Sequence, residues 1–165
     1  MYKIMLVDDE ENIIKSLKRV LRSQKDWEVE SFTLAEEALR RATTCVFDVI
    51  ISDFKMPGMD GIDFLGEMKE LQPDAMRILL TGTRESNTVM EAINHAGAYK
   101  FITKPWDDAV LLQTISDAID LRMQLVTNRF LAERSREYML TGSVSANAEP
   151  RCIFQRPAAE SSCYL

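Results

Sequence analysis

Apolar and polar residues follow a regular beat along this chain, short apolar runs alternating with longer amphipathic stretches. Ile4, Met5, Leu6 and Val7 form a nearly continuous apolar run cut off by four acids, as expected of a strand covered on both faces. Ile14, Leu17 and Leu21 then mark the buried stripe of a helix. Residues 27–32 alternate through Glu28, Val29 and Glu30, which predicts an edge strand, and Ala35, Ala38, Leu39 and Ala42 repeat at helical spacing. Residues 46–51 (Val-Phe-Asp-Val-Ile-Ile) predict a buried third strand. A loop from Asp53 to Gly61 follows, then a helix with Phe64, Leu65, Met68 and Leu71 inward, closed by Pro73. Ile78, Leu79 and Leu80 predict a fourth strand, and Val89, Ala92, Ile93 and Ala96 a fourth helix ending at Gly97. Residues 99–102 predict a fifth strand, after which Asp107 opens a fifth helix.

Strands alternating with helices predict the α/β class, a doubly wound five-stranded parallel sheet, because parallel neighbours need crossovers and those crossovers are right-handed. With residues 27–32 at the edge, the flavodoxin-like order 2-1-3-4-5 fits, and such sheets place their sites beyond the carboxyl ends of the strands. The residues just past those ends are Asp8 and Asp9, Asp53, Thr81 and Lys104. Each also has an ordinary use: Asp8 or Asp9 as a helix cap, Asp53 as the opening of the Met56-Pro57-Gly58 turn, Thr81 as a strand end, Lys104 as a solvated lysine.

Their convergence carries more than any one of them. Three carboxylates at one rim, with ordinary pKa values of about 4, are all ionised at neutral pH and need a positive counterweight. Oxygen-only ligands without His or Cys select a hard divalent ion, and Mg2+ takes one or two carboxylates while engaging a phosphoryl group. Asp53 is then available as a nucleophile that forms an aspartyl phosphate. Lys104 would neutralise charge developing on the phosphoryl oxygens, and Thr81 would hydrogen-bond to them.

Composition narrows the picture. A chain of 165 residues predicts one domain with a modest appendage, and 46% hydrophobic with 28% charged residues suits one ordinary core. The formal charge of −6 disfavours direct binding to nucleic acid or to an anionic membrane surface. Cys45, Cys152 and Cys163 have no Cys-x-x-Cys spacing, so neither a disulfide framework nor a zinc site is expected. The first apolar run is too short for a signal peptide or a membrane span, and a cytoplasmic protein is expected. The lone His95 is assigned no function.

Four motifs in order, Leu6-Val7-Asp8-Asp9-Glu10, Asp53-Phe54-Lys55-Met56-Pro57-Gly58-Met59-Asp60-Gly61, Leu80-Thr81-Gly82 and Phe101-Ile102-Thr103-Lys104-Pro105-Trp106, make residues 1–125 resemble a response-regulator receiver domain of a two-component phosphorelay. The resemblance implies that Asp53 accepts a phosphoryl group from a histidine kinase or phosphotransfer protein. It implies that Asp8, Asp9, Asp53 and the Lys55 carbonyl organise Mg2+, with Asp9 direct and Asp8 through water. It further implies that Thr81 and Phe101 form a switch pair, that Lys104 contacts the phosphoryl group, and that the Lys104-Pro105 bond is cis. By the same resemblance, Lys55 and Thr83 stand where side chains influence water attack on the acyl phosphate. Neither is acidic or an amide, so slow self-dephosphorylation is expected. The switch would alter the face made by the fourth helix, fifth strand and fifth helix and so control a partner or an output domain. Catalysis would be confined to the protein's own modification.

Ile115, Ile119, Met123, Val126 and Phe130 extend the last helix at spacings of four and three. This is either the seam of a coiled coil, which would dimerise the chain, or the buried face of a helix lying back on its own domain. The expected organisation is a receiver over 1–125, a helical extension over 126–140 and a flexible tail over 141–165. Two other functions fit less well. A Mg2+-dependent aspartyl-phosphate hydrolase would want a general acid two residues after its nucleophile, where this chain has Lys55. A receiver that works by binding alone would have little use for all five site groups.

Overall fold

The computed structural model describes residues 1–82 and 94–141, with side chains through residue 136. Val89, Ala92 and Ile93 of the expected fourth helix, Thr83, and the tail with Cys152 and Cys163 lie outside the described residues. The elements run β1 (Tyr2–Val7), α1 (Glu11–Leu21), β2 (Trp27–Phe32), α2 (Ala35–Ala42), β3 (Val49–Asp53), α3 (Gly61–Leu71), β4 (Met76–Thr81) and β5 (Lys100–Thr103), followed by a C-terminal helix, Asp108–Thr141. All strand pairs are parallel, and the order is β2-β1-β3-β4-β5, the doubly wound arrangement expected.

Period-two alternation explains how one sheet serves two cores. Met5 and Val7 of β1, Ile50 of β3 and Leu79 of β4 face α2 and α3, where Phe64, Leu65 and Met68 are buried. Ile4 and Leu6, Val49 and Ile51, Ile78 and Leu80 face the other way, onto Leu17 and Leu21 of α1 and Leu111, Ile115 and Ile119 of the C-terminal helix. Each fully buried Leu, Ile or Phe contributes roughly 1.5–3 kcal/mol, so both faces are held firmly and register slips are costly.

Several boundaries differ from the sequence expectation. β3 begins at Val49, not Val46: Val46 is 67% exposed, and Phe47 is buried ahead of the strand, its N–H donating to Gln72 Oε1 at 2.8 Å. The strand therefore ends on Asp53. Neither Asp8 nor Asp9 caps α1. Glu10 is its N-cap and makes no side-chain cap, while Asp8 Oδ1 accepts the Glu10 N–H at 2.9 Å, one step ahead of the helix. Asp107 does cap the C-terminal helix, accepting from the N–H groups of Ala109 and Val110 at 2.9 and 3.0 Å. The chain divides into two units, Met1–Arg122 and Met123–Leu165. Ile115 and Ile119, the first members of the four-three stripe, belong to the core of the first unit, so that part of the stripe is a buried face and not a free seam.

Candidate functional site

Strand register builds the site. Val7 of β1 lies opposite Ser52 of β3, so the next residues, Asp8 and Asp53, emerge side by side at the carboxyl end of the sheet. Asp53 lies opposite Leu80, and Thr81 pairs with Thr103, which places Lys104 one step past the end of β5. The Lys104 N–H donates to the Thr81 carbonyl at 2.8 Å, and the Lys104-Pro105 peptide is cis.

From there the Lys104 ammonium reaches both acids. Its Nζ lies 2.8 Å from Asp8 Oδ2 and 2.6 Å from Asp53 Oδ1. Asp8 is fully buried and Asp53 is 7% exposed. Burial pushes the Asp8 carboxyl above its ordinary range, and the Lys104 hydrogen bond only partly opposes this. For Lys104, burial works against the charged form, but hydrogen bonds to Asp53 and Asp8 outweigh it, and its pKa rises above the usual lysine value. The ammonium is thus locked on as counter-ion to two carboxylates that would otherwise repel.

The loop after β3 is shaped around Asp53. Its Oδ2 accepts the Lys55 N–H at 2.9 Å, so the turn-opening use of this Asp is realised alongside the ion pair. Gly61 N–H donates to the Phe54 carbonyl at 2.8 Å, and a Cβ on Gly61 would fall on the Asp53 carbonyl oxygen. Asp60 caps α3 by accepting from Ile62 and Asp63 N–H, both at 2.9 Å. Gly58 takes the left-handed region at φ 86° within the same loop.

Of the residues singled out by sequence, Asp8, Asp53 and Lys104 come together, and Thr81 is fully buried beside them on β4. Asp9 and Lys55 are exposed, and Phe101 on β5 is 37% exposed. Among the described residues no group of three or more His, Cys, Asp or Glu side chains forms a preformed metal cluster. The donor chemistry nevertheless fits Mg2+, since Asp8 and Asp53 present hard oxygens with spare lone pairs and the exposed Asp9 follows Asp8 in sequence. No described helix is long and apolar enough to cross a membrane.

Comparison with known proteins agrees with this geometry. The family model described as the response regulator receiver domain matches residues 4–116. The chain is 37% identical over 125 residues to the hydrogenase transcriptional regulatory protein HoxA of Bradyrhizobium diazoefficiens, covering 75% of this chain and 25% of the relative. It is 32% identical to the transcriptional regulatory protein FixJ of Rhizobium meliloti, covering 84% of this chain and 72% of that protein. The chain thus spans about a quarter of the length of the hydrogenase regulators it resembles. Among solved structures, the signal receiver domain of an HD domain-containing protein from Pseudomonas fluorescens superposes with a TM-score of 0.72 at 31% identity, covering 76% of this chain and 92% of that one. The beryllofluoride-activated NtrC4 receiver domain dimer gives 0.69 at 34% identity, covering 74% and 99%. With the matched region holding β2 to β5, most of β1 and the paired acids at the carboxyl end of the sheet, the chain belongs to the family of response regulator receiver domains.

Proposed function

We propose that the chain is a phosphorylation-driven switch in which Asp53 accepts a phosphoryl group from the phosphohistidine of a histidine kinase or phosphotransfer protein. The observation that carries this reading is the double ion pair of Lys104 with Asp53 and Asp8, which holds a cation where phosphoryl oxygens would gather charge. In the transfer, an Asp53 carboxylate oxygen bonds to phosphorus as the phosphorus–nitrogen bond of the donor breaks, its electron pair leaving with the imidazole. Lys104 then exchanges a carboxylate contact for a phosphoryl oxygen. Asp8, Asp9, Asp53 and the Lys55 carbonyl would hold Mg2+, which supplies charge stabilisation to the group being transferred. Thr81 would hydrogen-bond to the phosphoryl group from the end of β4, and the Phe101 ring would turn inward behind it.

The reading assigns 1–125 to the receiver, 126–140 to a helical extension and 141–165 to a flexible tail. It places the protein in the cytoplasm with its kinase. The output is control of a partner or of an output domain outside this stretch of chain, with homodimerisation through the C-terminal helix or through the face around β5. Several relatives are transcriptional regulators by name, which favours gene control as the end of the pathway. Beryllofluoride, a phosphoryl mimic, tests the site directly by 19F resonance: the account expects saturable binding that needs Mg2+ and is lost in Asp53→Asn. Equal binding by that variant would refute it.

A further inference from the structure

Asp48 stands at the opposite end of the sheet from Asp53, one residue before β3 begins, and is 7% exposed. Its Oδ2 accepts the Lys3 N–H at 2.6 Å, its own N–H donates to the Lys3 carbonyl at 2.8 Å, and its carbonyl accepts the Met76 N–H at 2.9 Å. One residue therefore joins the starts of β1, β3 and β4. The other carboxylate oxygen, Oδ1, pairs with Arg122 Nη1 at 2.9 Å, and the arginine side chain is only 13% exposed. Arg122 is the last residue of the first unit, three positions beyond the core residue Ile119.

This pair is a poor device for stability alone. Arg122 Nε is buried with no hydrogen-bond partner among the described residues, and burying a guanidinium with an unmet N–H gives away much of what the ion pair gains. A neutral acceptor at 48 with an apolar side chain at 122 would fill the same place without that penalty. What a buried carboxylate does supply is direction, because only one rotation and one register of the C-terminal helix bring a guanidinium onto it.

We infer that Asp48–Arg122 is a positioning latch, fastening the last receiver turn of the C-terminal helix to the two strands that carry Asp8 and Asp53. The turn from which the chain continues past residue 122 is thereby held or released with those strands. Removing the latch leaves the core intact and frees that turn.

Amide hydrogen exchange on the full chain tests this with Arg122→Gln, Arg122→Lys and the double variant Asp48→Asn with Arg122→Met. In Arg122→Gln the amides of residues 116–122 should accelerate at least about tenfold more than those of β1 and β3, the mark of local opening over and above the global cost of unpairing Asp48. Arg122→Lys should restore part of the protection. The double variant, which removes both charges and keeps the fold, should melt at or above the wild-type temperature yet retain the fast exchange. Unchanged exchange in Arg122→Gln, or a double variant that regains both Tm and protection, would overturn the latch and leave the pair as space-filling.

Discussion

Lys104 Nζ and Asp53 Oδ1 stand 2.6 Å apart, and the same ammonium lies 2.8 Å from Asp8 Oδ2. With this cation removed, two nearly buried carboxylates face each other uncompensated. Lys104→Met should therefore cost about 3 kcal/mol of unfolding free energy in urea, the low end for breaking a buried ion pair. Mg2+ should raise the Tm of this variant more than that of the wild type, since the metal's charge takes over the missing counter-ion. Equal Mg2+ shifts in the two proteins would argue against a metal at these acids.

Gly61 is fixed by sterics where Gly82 is not. A Cβ at 61 meets the Asp53 carbonyl, which belongs to backbone and has no room to yield, whereas a Cβ at 82 meets nothing within 4 Å among the described residues. Gly61→Ala should destabilise by about 3 kcal/mol, the upper range of overpacking, and disturb the loop at the acceptor. Gly82→Ala should stay within about 0.5 kcal/mol. Chemical denaturation of both variants checks the contrast.

On the sheet's edge, Arg41 grips Glu30 with Nε–Oε2 at 2.7 Å and Nη2–Oε1 at 2.9 Å. These hydrogen bonds hold the Glu30 carboxyl below its ordinary value of 4.5. The folded protein thus binds this proton less readily than the unfolded chain. The pair's contribution is complete above the unfolded pKa and is lost as pH falls through the lower folded one. Both side chains are partly exposed, so Glu30→Gln should cost no more than about 1 kcal/mol at pH 7. Urea midpoints should show that difference shrinking as pH drops below 4.5 and unchanged from there upward.

The exposed Lys55 follows the proposed acceptor, Asp53, by two residues and offers no group that can accept a hydrogen bond from an attacking water. The acyl phosphate should accordingly persist for minutes or longer. Lys55→Asn should shorten its life by roughly tenfold, because the amide oxygen can hydrogen-bond and position the water, an effect smaller than the ~100-fold or more of a true general base. Following the phosphorylated mass with time after donor removal measures both; a wild-type half-life of seconds contradicts the expectation.

The sheet is legible in the sequence because most strands are apolar runs, β2 alternates as an edge strand does, and the helices between them are periodic, and those signals are local. Edge strand β2 and the order of the sheet follow from that pattern together with crossover handedness. β3 starts later than the apolar pattern predicts because Val46 and Phe47 are apolar for reasons other than strand pairing: Phe47 fills the core from a loop, and Val46 faces solvent. Asp8, Asp53, Thr81 and Lys104 could be read because strand ends converge. Gln72, Arg77 and Arg122 could not. Gln72 satisfies Phe47 N–H and the carbonyls of Ala42 and Cys45, and Arg77 binds the carbonyls of Ala75, Ala96 and Gly97. Such contacts join distant segments through single polar side chains and leave no period in the sequence.

The central claim is that Asp53 takes the phosphoryl group. Intact mass after incubation with Mg2+ and a small-molecule phosphoryl donor, beside Asp53→Asn under the same conditions, tests it most directly. The account predicts one added phosphoryl group on the wild type and none on the variant. No gain by the wild type, an equal gain by both proteins, or continuous rapid turnover of donor would contradict it.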